Sequence, residues 1–449
     1  MTSLDTAPAH GRRARILGSV VEKSPTLVRR GLPDRLSVGI VGLGYVGLPT
    51  ALSLLDAGRS VVGLDVDPDR LDAIRRGAVD LLPHDQVRLA RHVGGAGLSL
   101  TTRADRLAAV DAVVICVPTP VDENLVPDLT ALRGACAAVV AQARPGQTIV
   151  LTSTTYVGCT RELIVDPLAK RGLRPGIDVH IAFSPKRIDP GVAAHLPERT
   201  PRVIGGLTPA CAERAATALT GTCPGVHLVS SPEAAELTKL LENSFRAVNI
   251  ALANEWAGVA GHLGLSVTEV VDAAATKPYG FMPFYPGPGA GGHCIPCDPH
   301  YLLWQLKAQR VTAPLLDAAM TGLATRPGLV VSRVREVLAD TGLPVAEARI
   351  HVVGVAYKPG VADTRESPAL EIIAELQAAG AHLSFSDDLV DSVRLPGGTL
   401  RSLGPTGVAA DLVLVHTRHP GADLRWLRDH PTVLDATYRL TEVPHRQVV

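Results

Sequence analysis

The stretch that decides the fold is Val38-Gly39-Ile40-Val41-Gly42-Leu43-Gly44-Tyr45-Val46-Gly47, read together with the apolar segment 60–64 and the Asp65 that closes it. The apolar residues 38–41 read as a strand buried on both faces. A G-x-G-x-x-G turn follows, then an apolar helix through Leu55, then a second strand ending in an acid. In such a unit Gly42 permits a tight turn, Gly44 lets a diphosphate approach the backbone, and Gly47 lets helix and strand pack closely. The helix start places free N–H groups and a positive dipole end beneath that diphosphate. Asp65 stands 21 residues beyond Gly44. Its carboxylate suits a ribose 2′-hydroxyl and would repel a 2′-phosphate, so the expected dinucleotide is NAD rather than NADP. Gly42, Gly44, Tyr45, Val46, Gly47 and Asp65 are the cofactor-binding candidates.

Outward from this unit the alternation continues. Strands are expected over 112–117, 148–151, 179–183 and 201–205, with a helix over 129–143. Thr119 and Thr154 lie just past strand ends, where open α/β sheets build their sites, as cofactor or substrate contacts or as plain turn caps. Residues 231–265 recur at helical spacing as one long helix, whose length suits a spine between domains or subunits. Lys239 and Asn243, four apart, share a face of it, either as functional groups or as an ordinary solvated pair. Further helix is expected to about 276 and over 300–340. At 348 the pattern resets, with strands over 349–355, 382–386, 412–416 and 432–435 and a helix over 369–379. No second G-x-G-x-x-G occurs there, so a different ligand is expected. Lys358 and Arg365 follow its first strand, where they could meet phosphates, reach the other domain or be simple surface charges.

The fold class is therefore α/β: two Rossmann-like parallel-sheet domains joined by a long central helix and a helical middle region. The expected division is a flexible extension over 1–35, a cofactor domain over 36–228, a central region over 229–345 and a second α/β domain over 346–449.

The 449 residues are 46% hydrophobic, enough for large cores, and Lys+Arg and Asp+Glu both number 44. That balance gives no electrostatic case for nucleic acid or an acidic membrane surface. The cysteines at 116, 136, 159, 211, 223, 294 and 297 are scattered, which suits a reducing compartment better than a disulfide framework. No continuous apolar segment precedes residue 36, and the longest run near 108–117 is broken by Asp111 and too short for a bilayer. A soluble, cytoplasmic protein is expected.

The chemistry concentrates in Gly287-Pro288-Gly289-Ala290-Gly291-Gly292-His293-Cys294-Ile295-Pro296-Cys297-Asp298-Pro299. Glycines let the backbone approach a ligand. Cys294 delivered on such a loop is a candidate nucleophile if its surroundings favour the thiolate. Cys294 and Cys297 also form a C-x-x-C, so a metal or redox pair and a buried inert thiol are the other readings. No second C-x-x-C accompanies it, and no metal is expected.

In these motifs, above all 286–299 and Asp363 to Ser367 with Lys358, the chain resembles the UDP-glucose/GDP-mannose dehydrogenase family, NAD-dependent four-electron oxidases of nucleotide sugars. The similarity spans about 36–439 and leans towards the bacterial branch, which contains N-acetylhexosamine nucleotide dehydrogenases. The resemblance implies that Cys294 is the thiolate nucleophile and that Asp298 manages water and protons at the sugar C6. It implies that Lys239, helped by Asn243, stabilises the C6 oxyanion, and that Thr119 positions water or cofactor. Phe284, Tyr285, Gly289 and Gly292 would hold the sugar diphosphate with Lys358, while Arg365 approaches the NAD side. The long helix would form the core of a homodimer. His293 could pair with the thiolate or simply pack the loop.

One departure stands out. The family's Ser-Pro-Glu, whose glutamate is thought to help activate the hydrolytic water, reads Ser184-Pro185-Lys186 here, and a second carboxylate would fall on Pro190. A protonated lysine is no base, though it can donate to an oxyanion or phosphate. Asp189 is close by at the wrong offset. The resulting expectation is oxidation of the C6 alcohol of a nucleotide-diphosphate hexose, of UDP- or dTDP-glucose type, to the uronic acid through a cysteine thiohemiacetal and thioester. The alternatives are a UDP-N-acetylhexosamine 6-dehydrogenase, a variant with impaired thioester hydrolysis, and a non-catalytic dinucleotide-binding scaffold.

Overall fold

A computed structural model describes residues 36–187, 199–292, 294–404 and 409–449. The N-terminal extension, Asp189, Pro190 and His293 lie outside the described residues.

The first sheet contains β1 (Ser37–Val41), β2 (Ser60–Leu64), β3 (Leu98–Thr101), β4 (Ala112–Ile115), β5 (Thr148–Leu151), β6 (His180–Phe183), β7 (Arg202–Gly206) and β8 (Val226–Val229). Their order is β3-β2-β1-β4-β5-β6-β7-β8, and every pairing is parallel except β6 with β7. The chain reverses direction across the sheet between β1 and β4, and ligands of such sheets sit in the crevice at that switch point. Apolar runs in the central strands are continuous because both faces are covered. Val113, Ile115, Ile149, Leu151, Ile181 and Phe183 fill one core, while Ile40, Ala112, Val114, Val150 and Ala182 fill the other. The edge strands β3 and β8 are only half-buried. They carry no such run, and the sequence did not announce them.

The second domain repeats the plan with β9 (Arg349–Val353), β10 (His382–Ser386), β13 (Leu412–Val415), β14 (Val433–Asp435) and the short β15 (Gln447–Val448). These form an all-parallel sheet in the order β10-β9-β13-β14-β15, with the hairpin β11 (Ser392–Leu395) and β12 (Gly398–Arg401) beside it.

Between the sheets runs the helix Pro232–His262, 31 residues and about 46 Å long. Ser231 caps it by accepting from the Ala234 N–H, and Pro232 occupies its first position, where no intrahelical N–H partner is lost. It is anchored to the first domain by Glu236, fully buried, whose carboxylate accepts from Gly158 N (2.6 Å), Thr160 N (2.9 Å) and Thr160 Oγ1 (2.6 Å). The helix Pro314–Asp340 packs along it. Arg326 of that second helix donates to Gly287 O (3.0 Å), and Asn254 of the first accepts from Gly287 N (2.9 Å). The loop before Cys294 is thus pinned from both long helices. Among the described residues no helix is long and apolar enough to cross a membrane.

Candidate active site and cofactor cleft

The cofactor cleft starts where β1 turns into the helix Gly47–Asp56. Gly42 adopts φ +86°, and a Cβ on Gly47 would lie 1.8 Å from the Gly42 carbonyl oxygen, so neither position tolerates a side chain. At Gly44 a Cβ would point into open space, which is room for a ligand at the helix start. Asp65 ends β2 with its carboxylate turned to this loop: Oδ2 accepts from Leu43 N (2.8 Å) and Oδ1 from Asp67 N (3.1 Å). Glycine turn, open helix terminus and acid at the second strand fit NAD, and NAD is the cofactor.

The second cluster forms around Asp298. Its carboxylate is buried in the first turn of the helix Asp298–Ala308, and three groups converge on Oδ2. Asn243 Nδ2 donates to it in a short contact, Thr154 Oγ1 donates at 3.4 Å, and Lys239 Nζ stands 3.6 Å away. Lys239 and Asn243 come from the long central helix and Thr154 from the end of β5, so this carboxylate joins two parts of the molecule. Burial raises the Asp298 pKa, opposed by the Lys239 ammonium and by the hydrogen bonds from Asn243, Lys239 and Thr154.

Cys294 begins the same turn: its carbonyl accepts from Asp298 N (2.8 Å) and Cys297 N (3.3 Å). Burial, then the charge of Asp298, push its thiol up to about 11, against the opposing charges of Lys239, Arg365 and Arg246. Cys297 is more deeply buried and pushed up to about 12, chiefly by burial. Both are free thiols. Among the described residues no group of three or more His, Cys, Asp or Glu could hold a metal ion.

The second domain closes on this loop. Gly292 N donates to Arg365 O (3.1 Å), and a Cβ on Gly292, at φ +78°, would strike the Tyr357 ring at 2.8 Å. The Arg365 guanidinium grips Asp363 (2.6 and 3.0 Å) and lies 4.4 Å from the centroid of the Tyr45 ring, in the cofactor turn. Tyr45 in turn donates to Asp80 in a short contact, and burial is the first cause that moves its phenol up to about 12. Lys358 is half-buried in the turn after β9, two residues before Gly360, whose N–H donates to His419 Nδ1 (3.0 Å).

Thr119 lies beside the fully buried Tyr301 phenol, three residues along the helix from Asp298. Phe284 packs edge-on against Phe245 of the central helix, with ring centroids 6.0 Å apart. Two expected positions have partners within the chain. Tyr285 was expected on the sugar diphosphate, but its hydroxyl donates to Asp272 (2.7 Å) and its face carries Arg439, 5.0 Å from the ring centroid. It therefore fastens the loop to the helix Val267–Ala275 and the second domain. Lys186, expected among the catalytic groups at the place of the family's glutamate, donates from Nζ to Val46 O (3.1 Å) and Thr50 Oγ1 (3.3 Å), in the first turn of the cofactor helix. The β6 end that carries it lies within a lysine stem's reach of that turn.

Sequence reasoning missed Arg246, Tyr301 and the pins Asn254 and Arg326. Helical spacing could have found two of them. Arg246 lies seven residues from Lys239 and three from Asn243, on their face, and Tyr301 lies three from Asp298.

Three family profiles tile the chain. The NAD binding domain of the UDP-glucose/GDP-mannose dehydrogenase family matches residues 36–219, its central domain 233–322 and its UDP binding domain 351–440. UDP-N-acetyl-D-mannosamine dehydrogenase of Pyrococcus horikoshii is 32% identical over 393 residues, covering 86% of this chain and 90% of the relative. The protein of that name from Escherichia coli strain K12 is 35% identical over 358 residues, covering 76% and 82%. A solved structure of UDP-D-ManNAc dehydrogenase from Pyrococcus horikoshii gives a TM-score of 0.84 at 30% identity, covering 92% of this chain and 99% of its own.

Proposed function

The chain belongs to the UDP-glucose/GDP-mannose dehydrogenase family, whose chemistry is the NAD-dependent four-electron oxidation of a nucleotide sugar, and from that premise we propose that its substrate is a UDP-N-acetylhexosamine, with the N-acetylmannosamine sugar first among the candidates. The relatives support this reading over the glucose type expected from the sequence. The observation that carries the chemistry is the convergence of Lys239, Asn243 and Thr154 on one oxygen of Asp298, in the same turn as Cys294.

NAD, when bound, supplies the hydride acceptor, and two molecules are consumed per sugar. The chain's own residues do the rest. Asp298, made more basic by burial, takes protons from the alcohol and later from water, while Asn243, Thr154 and Lys239 converge on its Oδ2. Cys294 adds to the C6 aldehyde as a thiohemiacetal, whose carbon still bears a hydrogen to give up, and becomes a thioester. Lys239 places positive charge where the C6 oxyanion develops. Water then attacks the thioester carbonyl, Cys294 leaves as the thiolate and the uronic acid is released. With a lysine at position 186, Asp298 is the carboxylate of this cluster that can activate that water.

The central helix supports a homodimer. Leu237, Leu241, Phe245, Leu252, Trp256 and Val259 are spaced by three, four or seven residues along the helix, and all are at least two-fifths exposed. A stripe of that length on one face of a 31-residue helix fits a second copy of the same helix. The four-part division into extension, cofactor domain, central region and second α/β domain belongs to the same reading, as does a soluble cytoplasmic setting.

The test is a product-and-cofactor balance across UDP-N-acetylmannosamine, UDP-N-acetylglucosamine, UDP-glucose and dTDP-glucose. Two NADH and one free uronic acid per UDP-N-acetylhexosamine are expected, with no acid from Cys294→Ser. Preferential turnover of a glucose nucleotide overturns the sugar assignment, and acid formation by the serine variant overturns the nucleophile.

A further inference from the structure

Lys186 is a buried cation outside the Asp298 cluster. It lies three residues past β6, at the carboxyl edge of the first sheet, and is 9% exposed. Its ammonium contacts the first turn of the helix that follows the glycine turn. Nζ donates to the carbonyl of Val46 and to the hydroxyl of Thr50, and Thr50 Oγ1 itself donates to Val46 O (2.7 Å). Val46 sits between Gly44, where a side chain would meet open space, and Gly47, which packs against the Gly42 carbonyl. The ammonium therefore fixes the turn whose free N–H groups receive a diphosphate.

Its electrostatic setting agrees. Arg202 opens β7, which runs antiparallel to β6, so it lies on the same sheet edge; it is 5% exposed. Lys186 and Arg202 both act on Cys116, which follows β4. Two buried cations thus border the β4–β5–β6 half of the crevice, the half that takes the second nucleotide of a dinucleotide. In a site withdrawn from water, a fixed positive charge acts on a diphosphate more strongly than at the surface.

We propose that Lys186 is a cofactor-positioning residue: its ammonium braces the first turn of the glycine-turn helix through Val46 and Thr50 and gives the bound dinucleotide's diphosphate a fixed positive neighbour. Lys186 then serves NAD binding and not the water step. The inference uses the reading above only in taking NAD as the cofactor, and it holds for any sugar.

The experiment is calorimetric titration of the full-length protein and of Lys186→Met and Lys186→Gln with NADH and, separately, with UDP, each at two ionic strengths. Lys186→Met keeps the stem and removes the charge; Lys186→Gln keeps a donor. The expected result is an affinity for NADH weakened ~10-fold in Lys186→Met, the order of one lost charge-assisted contact, and weakened less in Lys186→Gln. UDP affinity stays unchanged, the salt dependence of NADH binding becomes shallower without the charge, and KM for NAD rises while kcat holds. Unchanged NADH affinity and salt dependence in both variants overturn the proposal. So does a fall from two NADH per sugar to one at unchanged NADH affinity, which would return Lys186 to the hydrolytic step. Equal losses for NADH and UDP overturn it as well, because they mark general damage. Failure of the wild-type protein to oxidise any sugar would refute the proposed function and leave this binding test standing.

Discussion

Replacing Lys239 by methionine removes the ammonium 3.6 Å from Asp298 Oδ2, between two side chains almost wholly withdrawn from water. At that separation two unit charges attract by roughly 4–5 kcal/mol for an effective dielectric constant of about 20. Removing one partner of a buried pair costs about 3–5 kcal/mol. Asn243 and Thr154 still donate to the carboxylate, so a loss of stability near ~3 kcal/mol is expected around neutral pH. Asp298 already has a raised pKa, so the folded chain holds this proton more tightly than the unfolded chain, and the group's effect on stability worsens as pH climbs through the raised value. Loss of the ammonium raises that value further. The gap in melting temperature between variant and wild type is therefore widest where Asp298 is ionised and narrows as pH falls through its raised value. Lys239 also favours the Cys294 thiolate, against the burial and the Asp298 charge that hold the thiol up at about 11. Alkylation of Cys294 by iodoacetamide should slow in the variant at every pH below that value, and NADH production should fall roughly a hundred- to thousand-fold. Adding Asp298→Asn removes the stranded carboxylate and should recover most of the stability with none of the activity. An unchanged melting temperature together with an unchanged alkylation rate would refute the electrostatic reasoning.

In the wild-type protein, iodoacetamide inactivation should steepen steadily with pH up to about 11, because the thiol and not the thiolate is the resting form; a plateau near neutrality would contradict this. Glu236→Gln leaves three donors facing one carbonyl and an NH2 group, and should destabilise by about 2–3 kcal/mol in a melting experiment while the remaining folded protein keeps its turnover per site. Leu241→Glu with Trp256→Glu should turn the expected dimer into a monomer in light scattering, and a dimer that survives both charges would remove the central helix from the interface.

The sequence by itself determined the two α/β halves, the cofactor turn and the cysteine loop, because each is a local pattern. Central parallel strands are buried on both faces and so must be apolar throughout, which is why β1, β4 and β5 could be read directly. A glycine turn needs glycines where a Cβ would collide with its own backbone, and the 1.8 Å approach at Gly47 is such a place. The edge strands β3 and β8 and the two-residue β15 escaped because half-buried or very short pairing imposes no comparable pattern. Only tertiary structure decided which charges face which. The spacing of Lys239 and Asn243 gave a shared face and no target; the target, Asp298, lies 55 residues beyond Asn243 and is brought there by the pinned loop. Position 186 was read from its neighbours in the motif as a catalytic place, yet its ammonium reaches 140 residues back to Val46. The Tyr285 hydroxyl likewise finds its partner in Asp272, on another element. A long side chain takes its role from the acceptor within reach of its end, and that acceptor is chosen by packing between distant segments, which residue order along the chain does not encode locally.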